Sequence, residues 1–216
     1  YGFRAIMFII HMKISQILIF IITFILVTGL IYCSYLYSVH EFPGRFTEEK
    51  IYITISARNM SVEGIYTYEN GGKSIWVPEL FYPFPEGTVI SWKVMEEGGE
   101  KIPWIKVVPV FTGKELRYNL SPYSPGEKRK ALVSYCQEVC DNRGVYITET
   151  TRTWKRPVKK AQFYINLPCK WPLKDCTYKI TKSYIEKDRK IYFIEINDFY
   201  PEEDLVFSWN EHIDNF

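Results

Sequence analysis

The sequence predicts an all-β protein, an antiparallel β-sandwich of about ten strands preceded by one N-terminal transmembrane helix. Three observations carry this expectation. After residue 40 the chain breaks into short runs such as "KIYITISA", where apolar and polar residues alternate with a period of two, the pattern of a strand with one buried face. Turn signals rich in Pro, Gly and Asn separate most of those runs, which suits a sandwich. Before residue 40 lies a stretch, residues 14–39, without one charged side chain.

The N-terminal elements come first. The chain opens on Tyr1, and Met12 followed by Lys13 looks like a natural start, so residues 1–13 are read as a leader or fragment end. As a helix, residues 14–39 would be ~39 Å long, more than the ~30 Å hydrocarbon core requires. Lys13 precedes the run, and Tyr32, Tyr35 and Tyr37 crowd its far end, where an aromatic belt would meet the headgroups. The expectation is an uncleaved signal anchor. A cleaved signal peptide, cut near "VTG" at residues 27–29, is the competing reading. "LIYC" ends in Cys33, but Tyr32 is too bulky for the site before a lipidated cysteine. Either leading reading puts the remainder outside the cytoplasm, secreted if the segment is cleaved. Residues 40–49 then form a juxtamembrane linker, 50–210 the β-sandwich and 211–216 a C-terminal tail, with a subdivision near 116–130 as an alternative.

Within the sandwich, "KIYITISA" puts Ile51, Ile53 and Ile55 on one face. "SVEGIYTYE" follows, and Asn70-Gly71 predicts a tight hairpin because both residues tolerate positive φ. "SIWVPELF" then returns, with Ile75 and Val77 alternating as strand residues do and Trp76 expected to be buried. "TVISWKVM" and "IPWIKVVPVF" come next, and Pro103 and Pro109 demote the latter to an edge. Residues 116–130, "LRYNLSPYSPGEKRK", read as a long loop. "ALVSYCQ" and "GVYITETTRTW" form a candidate hairpin. "KAQFYINLP" aligns Ala161, Phe163, Ile165 and Leu167 on one face, and "TYKITKSYI", "KIYFIEI" and "LVFSW" complete the set. The aromatics of residues 66–87, "YTYENGGKSIWVPELFYPFPEG", have a sufficient cause in core burial.

That same stretch resembles the vault protein/inter-alpha-trypsin (VIT) β-domain through Tyr68, Asn70, Glu79, Tyr82, Phe84, Pro85, Val89 and Val94. The likeness covers about 50 of the 216 residues, lacks the Leu-Pro usual after Phe-Pro, and is followed by no von Willebrand-type domain. The later runs also look like uncharacterised membrane-anchored or secreted β-domains. What these resemblances imply is a β-fold, and they transfer no activity.

Charge argues against nucleic acid. Of 27 Lys plus Arg, Arg4 and Lys13 precede residue 40, so 25 stand against 25 acids in the remainder, whereas a nucleic-acid binder carries a basic face. Cys136, Cys140, Cys169 and Cys176 are the disulfide candidates, since oxidised pairs are the rule outside the cytoplasm. Local pairs, Cys136 with Cys140 and Cys169 with Cys176, are preferred over crossed ones. An extended strand would hold the first two ~13 Å apart, so bridging them demands a turn. The C-x3-C and C-x6-C spacings do not suit a zinc site.

The catalytic inventory is thin. A Ser or Cys nucleophile needs a base, most often His, and His11, His40 and His212 are the only histidines. "DFYPEED" at residues 198–204 offers oxygens that a calcium ion would accept, yet it reads as a solvated turn. No catalytic, metal or cofactor-binding residue is assigned. The sequence therefore predicts a membrane-anchored, non-catalytic interaction or surface-assembly domain with a protein or glycan partner. One alternative is a carbohydrate-binding module that presents Trp92, Trp104, Trp154 or Trp171 to sugar rings. A hydrolase with an unrecognised site is the other. If residues 14–39 are an anchor, the full chain will stay in the membrane fraction on alkaline carbonate extraction; release of a protein starting near Leu30 would show cleavage instead.

Overall fold

A computed structural model describes residues 21–32, 43–98 and 103–210. The chain divides into two units, Tyr1–Phe42 and Pro43–Phe216. In the first, residues 21–32 are helical, and among the described residues no helix is long and apolar enough to cross a membrane. The expected anchor at residues 14–39 lies mostly outside the described residues, as do Cys33 and all three histidines.

The second unit is all-β, as expected, but with more strands than about ten. In chain order they are β1 (Gly44–Ser56), β2 (Asn59–Asn70), β3 (Glu79–Pro83), β4 (Val89–Glu97), β5 (Trp104–Val107), β6 (Val110–Phe111) and β7 (Glu115–Asn119). There follow β8 (Lys128–Glu138), β9 (Arg143–Tyr146), a 3-10 helix (Glu149–Trp154), β10 (Val158–Pro168), β11 (Leu173–Cys176), β12 (Lys182–Glu186), β13 (Arg189–Phe199) and β14 (Leu205–Trp209). Eight of them form one sheet in the order β12-β13-β10-β1-β2-β8-β4-β5, and two three-stranded sheets, β11-β14-β9 and β3-β7-β6, stand apart from it. All three sheets feed one core. Ile51, Ile53, Ile55, Val133, Ala161, Phe163, Ile165 and Leu167 of the large sheet meet Leu205 and Phe207 of the second and Leu116 of the third, all essentially without exposure.

The alternation of β1 and β10 is borne out, and β5 is an edge strand as its prolines required. Other expectations are corrected. The sheet is not purely antiparallel: β1 and β10 run parallel, in register from Glu48 with Lys160 to Thr54 with Asn166. Alternation reports which face a side chain takes and carries no information on strand direction. Asn70-Gly71 is no hairpin. The side-chain amide of Asn70 is buried and donates to the carbonyls of Ser74 (2.8 Å) and Tyr123 (2.9 Å), while its Oδ1 accepts from the Gly72 amide. This anchors an irregular segment, and β2 pairs with β1 and β8.

The β8–β9 hairpin is likewise absent. Asp141 and Asn142 both adopt positive φ (60° and 50°), and the chain leaves the large sheet so that β9 pairs with β14. Residues 116–119 belong to β7 and 128–130 to β8, which shortens the expected loop. The 43–216 unit is not subdivided near residues 116–130.

Residues 66–87 do supply core, and Trp76 is buried as expected. Trp76 faces inward at 7% exposure while Ile75 and Val77 stand 69% and 51% exposed. Trp76 forms an antiparallel bridge with Tyr123 through N–H···O bonds of 3.0 and 2.7 Å, and its ring lies 5.5 Å from that of Tyr123 and 6.2 Å from that of Trp154. Trp76→Ala should therefore lower the unfolding free energy by ~3–5 kcal/mol in chemical denaturation. An unchanged midpoint would remove Trp76 from the core.

Candidate functional site

One face of the eight-stranded sheet carries the core; its other face lines an open groove. Strand pairing sets side chains there in rows across the sheet. Lys182, Phe193, Tyr164, Tyr52, Glu63, Ser134 and Lys93 follow one another on successive strands. The adjacent row includes Asn166, Thr54, Ser61, Cys136 and Ser91. The groove, of about 450 Å³, is lined by Tyr52, Thr54, Ser61, Glu63, Ser91, Lys93, Ser134 and Cys136 among others. Four aliphatic hydroxyls, one ammonium and one carboxylate line it beside the tyrosines, a set that hydrogen-bonds without favouring either sign of charge.

Beside the groove runs an aromatic ladder. Tyr52 and Tyr164 stack at 4.8 Å with an interplanar angle of 20°, and Tyr164 meets Phe193 at 4.8 Å. Lys50 Nζ lies 5.3 and 5.4 Å from the two tyrosine ring centres and Lys182 Nζ 5.1 Å from that of Phe193, within cation–π range. A hydrogen bond with Tyr52 holds the Lys50 pKa above its ordinary value. Rings that stack on one another present edges to solvent, so this ladder is not a flat sugar platform.

The four tryptophans singled out from the sequence do not share a face. Trp92 is 39% exposed, is among the residues that line the groove, and packs on Phe111 at 4.3 Å. Trp104 sits half-buried on the edge strand β5. Trp154 is half-buried and packs against Phe46, Tyr68 and Trp76. Trp171 is buried, 6.4 Å from Trp209 and nearly parallel to it. Trp154 and Trp171 thus take structural places rather than open ligand-facing ones.

All four cysteines of the second unit are free thiols here, contrary to the expected bridges. Cys136 lies in the groove, Cys140 and Cys169 are exposed, and burial pushes the Cys176 thiol up. Among the described residues no group of His, Cys, Asp and Glu is arranged to hold a metal ion. In "DFYPEED", Asp204 Oδ1 accepts from the amides of Thr148 (2.8 Å) and Glu149 (3.1 Å) at the start of the 3-10 helix, a capping role.

Sequence reasoning missed Glu49. A β-bulge lies between Phe46 and Glu48, and beyond it Glu49 shares the buried face with Ile51, Ile53 and Ile55. Counting back by two from Ile51 would have found it. Glu49 is 3% exposed, its Oε1 has no hydrogen-bond partner, and burial raises its pKa to about 8. Tyrosines surround it. Tyr66, the residue opposite Glu49 on β2, joins its hydroxyl to those of Tyr146 (2.9 Å) and Tyr82 (3.1 Å). Burial holds all three phenols well above their usual range. Gly64 makes room for them, since a Cβ there would fall 2.1 Å from the Tyr66 hydroxyl. The cluster keeps one proton on a buried carboxyl through neutral pH.

No family model matches the chain, and no curated protein does. Solved structures do. A "putative nutrient binding protein" from Legionella pneumophila subsp. pneumophila superposes with a TM-score of 0.62 at 12% identity, over 78% of this chain and 67% of that one. An M1 zinc metallopeptidase from Deinococcus radiodurans gives 0.48 at 13% identity, over 77% of this chain and 42% of that one. The chain thus spans less than half the length of the peptidase. At 12% identity the likeness to the Legionella protein is one of fold.

Glu49 makes stability depend on pH. Its folded pKa, about 8, exceeds the unfolded value of 4.5, so between them the native state holds a proton that the unfolded chain has released. This contribution is neutral below pH 4.5, falls as pH rises to 8, and levels off above that. Glu49→Gln should flatten the slope and raise the melting temperature at pH 8, by an amount worth a few kcal/mol, on the order of 1.4 per pKa unit. Identical pH profiles for the two proteins would place the Glu49 carboxyl in contact with water.

Proposed function

We propose that this chain is a non-catalytic extracytoplasmic β-module, held at a membrane through residues 14–39, that docks a protein partner on the outer face of its eight-stranded sheet. The observation that carries this reading is the groove on that face, where Thr54, Ser61, Ser91 and Ser134 stand beside Lys93 and Glu63. Donors and acceptors of both signs, set about 4.8 Å apart by the spacing of neighbouring strands, can pair with the amide and carbonyl groups of a polypeptide. A protein partner is favoured over a glycan because the nearby tyrosines stack on each other and, of the four candidate tryptophans, Trp92 alone is among the residues lining the groove. The name of the Legionella neighbour, which refers to nutrient binding, agrees with a binding module.

The test is site-specific photo-cross-linking in membranes of the native host. A photo-reactive residue at Ser134, in the groove, should yield one discrete protein adduct that Lys93→Glu abolishes. The same residue at Lys174, exposed on β11, should not. Equal adducts at both positions, or none at Ser134, would overturn the assignment of this face.

A further inference from the structure

The eight-stranded sheet ends in two edges, and they differ in what they would accept. β5 forms one end. Pro103 and Pro109 flank it and withhold donors that an added strand would need. At the other end stands β12, "KSYIE", which contains no proline and, among the described residues, pairs with β13 alone. All five of its residues are exposed, Tyr184 by 40% and Ile185 by 66%.

An exposed strand edge is a template for another strand. The chain turns from β12 into β13 over two residues, Lys187 and Asp188, with Glu186 opposite Arg189. In an antiparallel pair, residues that exchange hydrogen bonds alternate with residues that do not, and a two-residue turn starts the alternation at the pair flanking it. Glu186, Tyr184 and Lys182 therefore direct their N–H and C=O groups toward β13. Ser183 and Ile185 direct theirs outward, to the open side.

The side chains select the strand that fits. Lys182, Tyr184 and Glu186 share one face, in the rows of Phe193, Ile191 and Arg189, while Ser183 and Ile185 share the other. A second β12 laid antiparallel with Tyr184 on a two-fold axis sets Lys182 opposite Glu186 of the second copy, and Glu186 opposite its Lys182. Ser183 then faces Ile185 of the second copy, and these are the residues whose amides point outward. One register thus satisfies both the charges and the backbone. Opposite charges across strands are favourable and like charges are not, and a parallel pairing in register would set Lys182 beside Lys182. We propose that two copies of this chain associate edge to edge through β12, joining two eight-stranded sheets into one. Each copy uses the same edge, so the assembly closes at two. The interface is separate from the groove and does not depend on what the groove takes.

Residues facing each other on the axis without exchanging hydrogen bonds lie about 4.5 Å apart at Cα, within disulfide reach. The test uses the full chain in mild detergent with its five cysteines replaced by serine. There Tyr184→Cys should give a disulfide-linked dimer on mild oxidation, and Lys174→Cys, exposed on β11, at least tenfold less. Lys182→Glu or Glu186→Lys alone sets like charges face to face and should lower the Tyr184→Cys dimer at least tenfold. Combining the two reversals should restore it. These positions are exposed, and an unchanged melting temperature will confirm that each variant is folded. A dimer no more abundant from Tyr184→Cys than from Lys174→Cys would overturn the proposal. So would a yield that neither reversal lowers, or one that the combined reversal fails to restore.

Discussion

The parallel pairing of β1 with β10 is the contact on which the rest of the second unit depends. It alone joins the three strands β12-β13-β10 to the five strands β1-β2-β8-β4-β5; every other neighbour in the large sheet is antiparallel. The seam lies at the middle of the sheet, beneath the most completely buried side chains, Ile51, Ile53, Phe163 and Ile165. A parallel seam needs a long connection, and here the connection is most of the unit, from β2 to the 3-10 helix. Arg189 on β13 closes its far end, giving one guanidinium nitrogen both to the Asn166 carbonyl at 2.9 Å and to that of Ile55. The two halves are therefore clamped by packing from within and by a charged fork at the rim.

From that seam the two faces of the sheet acquire opposite duties. The inner face gathers the small sheets and an unusually phenolic interior, in which Tyr66, Tyr82 and Tyr146 satisfy each other's hydroxyls. A buried carboxyl in the same interior costs stability unless it stays protonated, and Glu49 does so. The bulge after Phe46 decides this: Phe46 and Thr47 are both buried, and every second residue from Glu49 onward then points inward. One extra residue thus determines whether a carboxylate meets water or tyrosines.

The outer face inherits the complementary side chains and has its polar groups ordered by strand pairing. Glu63, Ser134 and Lys93 come from three strands and meet because β2, β8 and β4 are neighbours in register. At the end of the same sheet, β12 is placed by β13, and its five exposed residues form an open edge. The groove presents side chains from several strands, whereas the edge presents the backbone of one.

The sequence by itself determined the β class, the inward faces of β1 and β10, and the edge position of β5, because period-two alternation and proline's missing donor act within a few residues. It also held the signal for Glu49, two positions before Ile51. It did not contain the direction of β10 relative to β1, the pairing of β9 with β14, or the bridge between Trp76 and Tyr123. The last two accompany Asp141 and Asn142 redirecting the chain and Asn70 donating to Tyr123, 53 residues away. The open edge of β12 was equally invisible, since the strand order alone places it at the end of the sheet. Only the tertiary structure decides such matters, because a residue's own periodicity records whether it is buried but not which distant segment buries it.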